Sequence, residues 1–242
     1  MTFSSEYYLF GDLKFLPSSL KKKPELLVVS LLHGDEEGVV VPLFQLLNQY
    51  RHILPPYMFV PVMSKLAQQA GTRDSAEGLN FNRAFTLEPV PPEVQTAKDF
   101  VRTFGPFPTV LSVHEDNELD GTYVYYEGQP ADPRRLEEWR KEVKQQGHRL
   151  HTGFDDLDDL ALGMWAEDGY IRHAHSENTP QMFESWMVVQ ALAQQAITLE
   201  IPMHVQPEKK YQLLRAALRL VMIGEGESVD LRGIEPLTSS MP

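Results

Sequence analysis

The sequence predicts an α/β protein built on a parallel or mixed central sheet, with helices on both of its faces. Two observations predict it. Short apolar runs without polar alternation recur along the chain, the habit of strands buried on both faces. Between them lie stretches with apolar residues at helical spacing, so strand and helix alternate.

The first apolar run is Leu26–Leu32 (LLVVSLL), and Met58–Met63, Thr109–Val113 and Ala196–Leu199 repeat its character. A fifth, Thr122–Tyr126 (TYVYY), is rich in β-formers and bounded by Gly121 and Gly128. The helical stretches are read the same way. Gly38–Tyr50 carries Val40, Leu43, Leu46 and Leu47 on one stripe. Pro92–Phe104 opens on prolines and an acid, which suit a first turn, and stops before Gly105. Pro133–Gln146 is charged on most faces and reads as a surface helix. Met182–Gln195 is apolar and reads as one long helix. Glu208–Ile223 places Tyr211, Leu214, Leu218 and Val221 at helical spacing, with Pro207 at its start and Gly224 at its stop. The lysines Lys21–Lys23 read as a solvated loop before the first strand. These elements are expected to make one α/β domain over residues 1–224, and 225–242 is expected to be a tail with little periodicity.

Composition excludes several function classes. The 242 residues can bury a sizeable core. Against 22 Lys+Arg stand 34 Asp+Glu, a net charge of −12. A field of that sign repels nucleic acid and anionic membranes, so neither is expected as a partner. There are no cysteines, which removes disulfides, thiolate zinc sites and cysteine nucleophiles. A metal would have to be held by His, Asp and Glu. No run approaches the ~18–20 apolar residues of a membrane span. The first residues lack the basic start and apolar segment of a signal peptide, and a cytoplasmic location is expected.

In open α/β sheets, ligands gather outside the carboxyl ends of the strands. The first run stops at LLHGDEEG, residues 31–38, and puts His33 at such an end. His114 follows TVLSV in the same way, and Glu200 follows AITL. His33 and Glu36 are spaced so that both side chains can face one point from a tight turn. With His114 they make two imidazoles and one carboxylate, the set that holds catalytic zinc with a position left open. Zinc would bring a water toward a pKa of ~7 and polarise a carbonyl. Glu200 is placed to take that water's proton and pass it to a leaving amine. The stretch GTRDSAEGLNFNRAF, residues 71–85, adds two arginines. Arg83 could clamp a carboxylate through paired hydrogen bonds, with Asn82 as a further donor. Arg73 could stabilise a developing oxyanion. The alternative is that these arginines pair with Asp74, Glu77 or Glu88 on the surface.

Other residues carry weaker signals. His173 and His175 read as a polar loop or edge, and the acids of Asp155–Asp159 as a solvated loop lacking the EF-hand pattern. Trp139, Trp165 and Trp186 read as packing residues.

Taken in order, HGDEEG, GTR…GLNFNRAF, LSVHED and TLEIP resemble the zinc carboxypeptidases of the carboxypeptidase A type. They resemble most of all the small bacterial members that act on peptidoglycan-derived peptides. The resemblance spans residues 26–202. It implies a mixed sheet of about eight strands with helices on both faces and one zinc ion held by His33, Glu36 and His114. Glu200 would be general base and acid, Arg73 would hold the oxyanion, and Asn82 and Arg83 would bind the substrate's terminal carboxylate. Tyr170 would stand for the family tyrosine that closes over the substrate. The implied substrate is a small peptide, or an acyl amino acid, with a free carboxylate. The sequence departs from the family at Ser64-Lys65, where Asn-Pro is frequent. It departs again at Glu115 and Asp116, extra acids expected to disfavour an anionic substrate or select a cationic one. The chain is also short for the family. A sister family, the aspartoacylases and succinylglutamate desuccinylases, shares the motifs and implies deacylation instead. Its usual C-terminal β-domain is not expected in the stretch after Glu200, and Pro202 leans toward the peptidases. A member that binds metal or peptide without turnover is the third possibility.

Overall fold

In the computed structural model, which describes residues 7–156, 163–173 and 180–222, strands and helices alternate around one mixed sheet. The strands are β1 (Tyr8–Phe10), β2 (Leu13–Pro17), β3 (Leu26–Ser30), β4 (Tyr57–Val60), β5 (Phe107–Asp116), β6 (Tyr123–Gly128), β7 (Gly153–Phe154), β8 (Trp165–Ala166), β9 (Tyr170–His173) and β10 (Ala193–Pro202). The helices are α1 (Val40–Gln49), α2 (Lys65–Ala70), α3 (Pro92–Phe104), α4 (Pro133–Gln145), α5 (Phe183–Val189) and α6 (Pro207–Ala217). Eight strands form the sheet in the order β1-β2-β4-β3-β5-β10-β6-β9, and β7 pairs with β8 apart from it. The centre, β4-β3-β5-β10, is parallel. The flanks are antiparallel at β1/β2, β2/β4 and β10/β6, and β9 runs parallel to β6.

The continuous apolar runs are explained by two cores. Leu26 and Val28 pack on one face with residues of α1, α4 and α6, while Leu27 and Val29 pack on the other with residues of α3 and α5. A strand covered on both faces buries every position, so its apolar residues run on without polar alternation. The charged helix α4 still buries Leu136, Trp139 and Val143 at helical spacing. Trp139 and Trp186 lie in the cores, whereas Trp165 is exposed and meets Phe154 edge to face.

Three differences from the sequence reading have local causes. The stretch Met182–Gln195 is not one helix: α5 ends at Val189, Ala191 takes a left-handed φ of 53°, and the chain is extended as β10 from Ala193. Its apolarity belongs to a buried helix followed by a buried strand, which periodicity does not separate. The last helix tightens to a 3-10 turn over Leu218–Leu220. The edge strands β1 and β9 and the short helix α2 are too brief to mark the sequence, and β2, between β1 and β4, alternates with an exposed Lys14 rather than forming a continuous apolar run. The expected tail at 225–242, His175, and the acids beyond Asp156 lie outside the described residues. No helix among the described residues is long and apolar enough to cross a membrane.

Candidate metal centre

β3 ends at Ser30, and Leu31 turns the chain with a left-handed φ of 51°. That conformation costs an L-residue about 1–3 kcal/mol. Two hydrogen bonds hold it: Met63 N–H donates to the Ser30 carbonyl at 3.1 Å and Ser64 N–H to the Leu31 carbonyl at 2.9 Å. Gly34 then lies against α2, where a Cβ would collide with the Ala67 carbonyl. Only glycine lets the turn pass there. Glu36 closes the turn as the residue before the 3-10 turn Glu37–Val39. His114 comes from β5, the next strand of the sheet.

These three side chains converge. Glu36 Oε1 is 2.6 Å from His33 Nδ1, and Glu36 Oε2 is 3.1 Å from His114 Nδ1. The imidazole centroids are 5.1 Å apart. One ligand atom from each residue lies within 4.8 Å of the other two, and all three residues are buried. His33 Nε2 is buried without a hydrogen-bond partner. Two nitrogens and a carboxylate aimed at one buried point make a cluster capable of holding a metal ion. The donors suit zinc better than calcium or magnesium, which prefer oxygen.

Electrostatics follow the same grouping. Burial would raise Glu36, but the neighbouring imidazoles outweigh it and draw the carboxyl down to about 2. Burial and the charges of His114 and Arg73 lower His33 against the pull of Glu36. For His114, burial is outweighed by Glu36, Glu184 and Glu200, and its pKa rises.

Sheet register sets the neighbours. Glu200 on β10 pairs with His114 across one ladder and with Tyr123 across the other. Opposed residues in a ladder project to the same face. Glu200 is therefore beside the cluster, and Thr122 Oγ1 donates to its carbonyl at 2.6 Å. Burial, with Glu36 and Asp116 adding to it and His114 and Arg73 opposing, pushes the Glu200 carboxyl up to about 8. Arg73 is exposed, yet its charge is felt by both His33 and Glu200. Asn82 is buried, and its Oδ1 accepts the Phe183 N–H at 2.9 Å. Arg83 is exposed at the end of the 3-10 turn Phe81–Arg83. Neither arginine forms an ion pair with Asp74, Glu77 or Glu88 among the described residues.

Two sequence expectations meet different surroundings. Tyr170 stacks edge to face on Tyr126, centroids 5.6 Å apart, and packs against the core beneath α1, α4 and α6. In the β10–β6 ladder Tyr126 opposes Ile197, three residues before Glu200 and hence on the other face. The tyrosines on the Glu200 face are Tyr123 and Tyr125, whose hydroxyls donate to Asp116 (2.7 Å) and Asp155. The extra acids after His114 are also committed. Glu115 turns to the opposite side and is buried against Lys210 of α6, also accepting the Gly38 N–H at 2.6 Å. Asp116 receives the Glu118 and Leu119 N–H groups besides Tyr123. Glu115 is thus paired with a cation, and both Asp116 oxygens are engaged by neutral donors.

One participant carried no sequence signal. Glu184, in the first turn of α5, is buried with Oε1 at 3.3 Å from His114 Nε2. Its stretch reads as an apolar helix, and nothing in its spacing ties it to residue 114.

Neither a family model nor a curated protein sequence matches the chain. Solved structures do. A candidate metallopeptidase from Shewanella denitrificans superposes with a TM-score of 0.67 at 22% identity, over 88% of this chain and 81% of its own. The murein-tripeptide amidase of Escherichia coli gives 0.58 at 19%, over 88% of each chain. An aspartoacylase family protein from Mesorhizobium loti gives 0.55 at 16%, over 88% of this chain and 63% of its own. At these identities the likeness establishes a shared fold.

Proposed function

We propose that the protein is a zinc-dependent metallocarboxypeptidase that hydrolyses the C-terminal amide bond of a small peptide. The observation that carries the reading is the convergence of His33, Glu36 and His114, with Glu200 in register beside them. His33, Glu36 and His114 would hold the ion. Bound zinc supplies an activated water and a polarised carbonyl. Ionised beside the positive charge of a bound ion, Glu200 takes the proton of the attacking water and returns it to the leaving amine nitrogen, so the carboxylate is restored after each turnover. Arg73 places its guanidinium where the carbonyl oxygen gains negative charge. Arg83 and the Asn82 amide bind the terminal carboxylate, which sets the register of the cleaved bond. The fold's occurrence in a murein-tripeptide amidase is compatible with a short peptide substrate.

The test begins with elemental mass spectrometry of the wild type and His114→Ala. About one zinc per chain is expected in the first and none in the second. Glu200→Gln is expected to keep the metal and lose hydrolysis of a tripeptide with a free C-terminus. Turnover retained by Glu200→Gln would remove it from the mechanism. Cleavage unaffected by C-terminal amidation would remove the carboxypeptidase assignment. Activity on N-acetyl or N-succinyl amino acids with none on peptides would assign the deacylase chemistry instead.

A further inference from the structure

His114 is held at both nitrogens. Nδ1 faces Glu36, and Nε2 faces Glu184 Oε1 at 3.3 Å and Ser112 Oγ at 3.0 Å. Glu184 is 1% exposed. Among the described residues no lysine or arginine pairs with it, and the nitrogen that faces it is His114 Nε2. A carboxylate left alone in such a place would be costly, and the ring is what offsets that cost.

Glu184 also stands on a fixed support. The Phe183 N–H donates to Asn82 Oδ1 at 2.9 Å, and the Phe85 N–H to the Gln181 carbonyl at 3.0 Å. The Phe85 ring packs on Phe183 and Trp186, both with centroids at 5.3 Å. The start of α5 is thereby fastened to the segment that carries Asn82 and Arg83.

We propose that Glu184 is a positioning residue for the metal: it accepts the His114 Nε2–H and fixes the tautomer whose Nδ1 lone pair points at the ion. This rests on the zinc reading above. A carboxylate behind a histidine ligand orients the ring and strengthens it as a donor, and its loss typically weakens metal binding about 10–100-fold. The seat of α5 then links the Asn82–Arg83 segment to the ion through one side chain.

The experiment is a zinc titration of the full chain against a chromophoric chelator, for wild type, Glu184→Gln and Ser185→Ala. Ser185 is the neighbouring buried residue, and its hydroxyl donates to Glu127. Glu184→Gln is expected to bind zinc about 10–100-fold more weakly, with an altered visible spectrum in its cobalt(II) form. Ser185→Ala is expected to match wild type in both. Equal zinc affinity and an unchanged cobalt spectrum in Glu184→Gln would overturn the proposal while leaving the zinc site intact. Zinc binding by neither wild type nor variant would overturn both readings. If Glu184→Gln does not fold, nitrogen NMR of the zinc-loaded wild type decides. A protonated His114 Nε2 supports the proposal, and a protonated Nδ1 ends it.

Discussion

Arg83 is exposed at the end of its 3-10 turn, two residues from the buried Phe85 and next to the buried Asn82. The backbone around it is fixed while its guanidinium is left to meet a ligand. Asn82 has its Oδ1 occupied by the Phe183 N–H, which leaves its amide hydrogens as the end able to donate. Both residues thus present donors, as recognition of a carboxylate requires. Hydrogen bonds to a charged group contribute roughly 1.5–3 kcal/mol. Under the proposed function, Arg83→Ala is expected to raise KM by about 10–100-fold and leave kcat little changed. Steady-state kinetics on a tripeptide would check this, and an unchanged KM would place the carboxylate clamp elsewhere. The arginines themselves were legible as residue types, but the sequence left open whether they pair with neighbouring acids. The answer depends on which way the loop faces.

At the scale of elements, α6 is tied from the opposite face of the sheet to the segments that carry Glu36 and His114. Lys210 pairs with buried Glu115, whose other oxygen receives the Gly38 N–H two residues beyond Glu36. A Cβ on Gly38 would strike both members of that pair. Lys210→Met leaves a buried carboxylate without its cation, a loss of about 3–5 kcal/mol. The expected result in urea unfolding is a midpoint well below wild type. Lys210→Met combined with Glu115→Gln should recover part of the loss, because the stranded charge is gone. No recovery would show that the pair is not what α6 contributes. From the sequence, Glu115 reads as a charge beside a ligand. A strand directs successive side chains to opposite faces, so the neighbour of a site residue points away from the site.

For the whole molecule, the two cores on either face of an eight-stranded sheet do not depend on a metal for their burial. Metal-free protein is therefore expected to keep its far-UV circular dichroism. An ion that binds only the folded state adds stability by mass action, about 2.7 kcal/mol at a hundredfold excess over Kd. The melting temperature of the wild type should rise with added zinc, and that of His114→Ala should not. A wild-type Tm indifferent to zinc would count against the cluster as a zinc site. What the sequence by itself determined was the alternation of buried strands and helices and the residue types waiting at the strand ends. These are local properties: apolar periodicity follows from burial on one or both faces, and a histidine after a strand is visible in a few residues. Tertiary structure alone decided that Glu200 stands beside His114, that Tyr170 packs on the far side, that Glu115 is paired with Lys210, and that Glu184 lies against His114. Each of these depends on strand order, register and helix placement. Residues 70 to 95 positions apart are brought together by those choices, as in His114–Glu184 and Glu115–Lys210, and no local pattern records them.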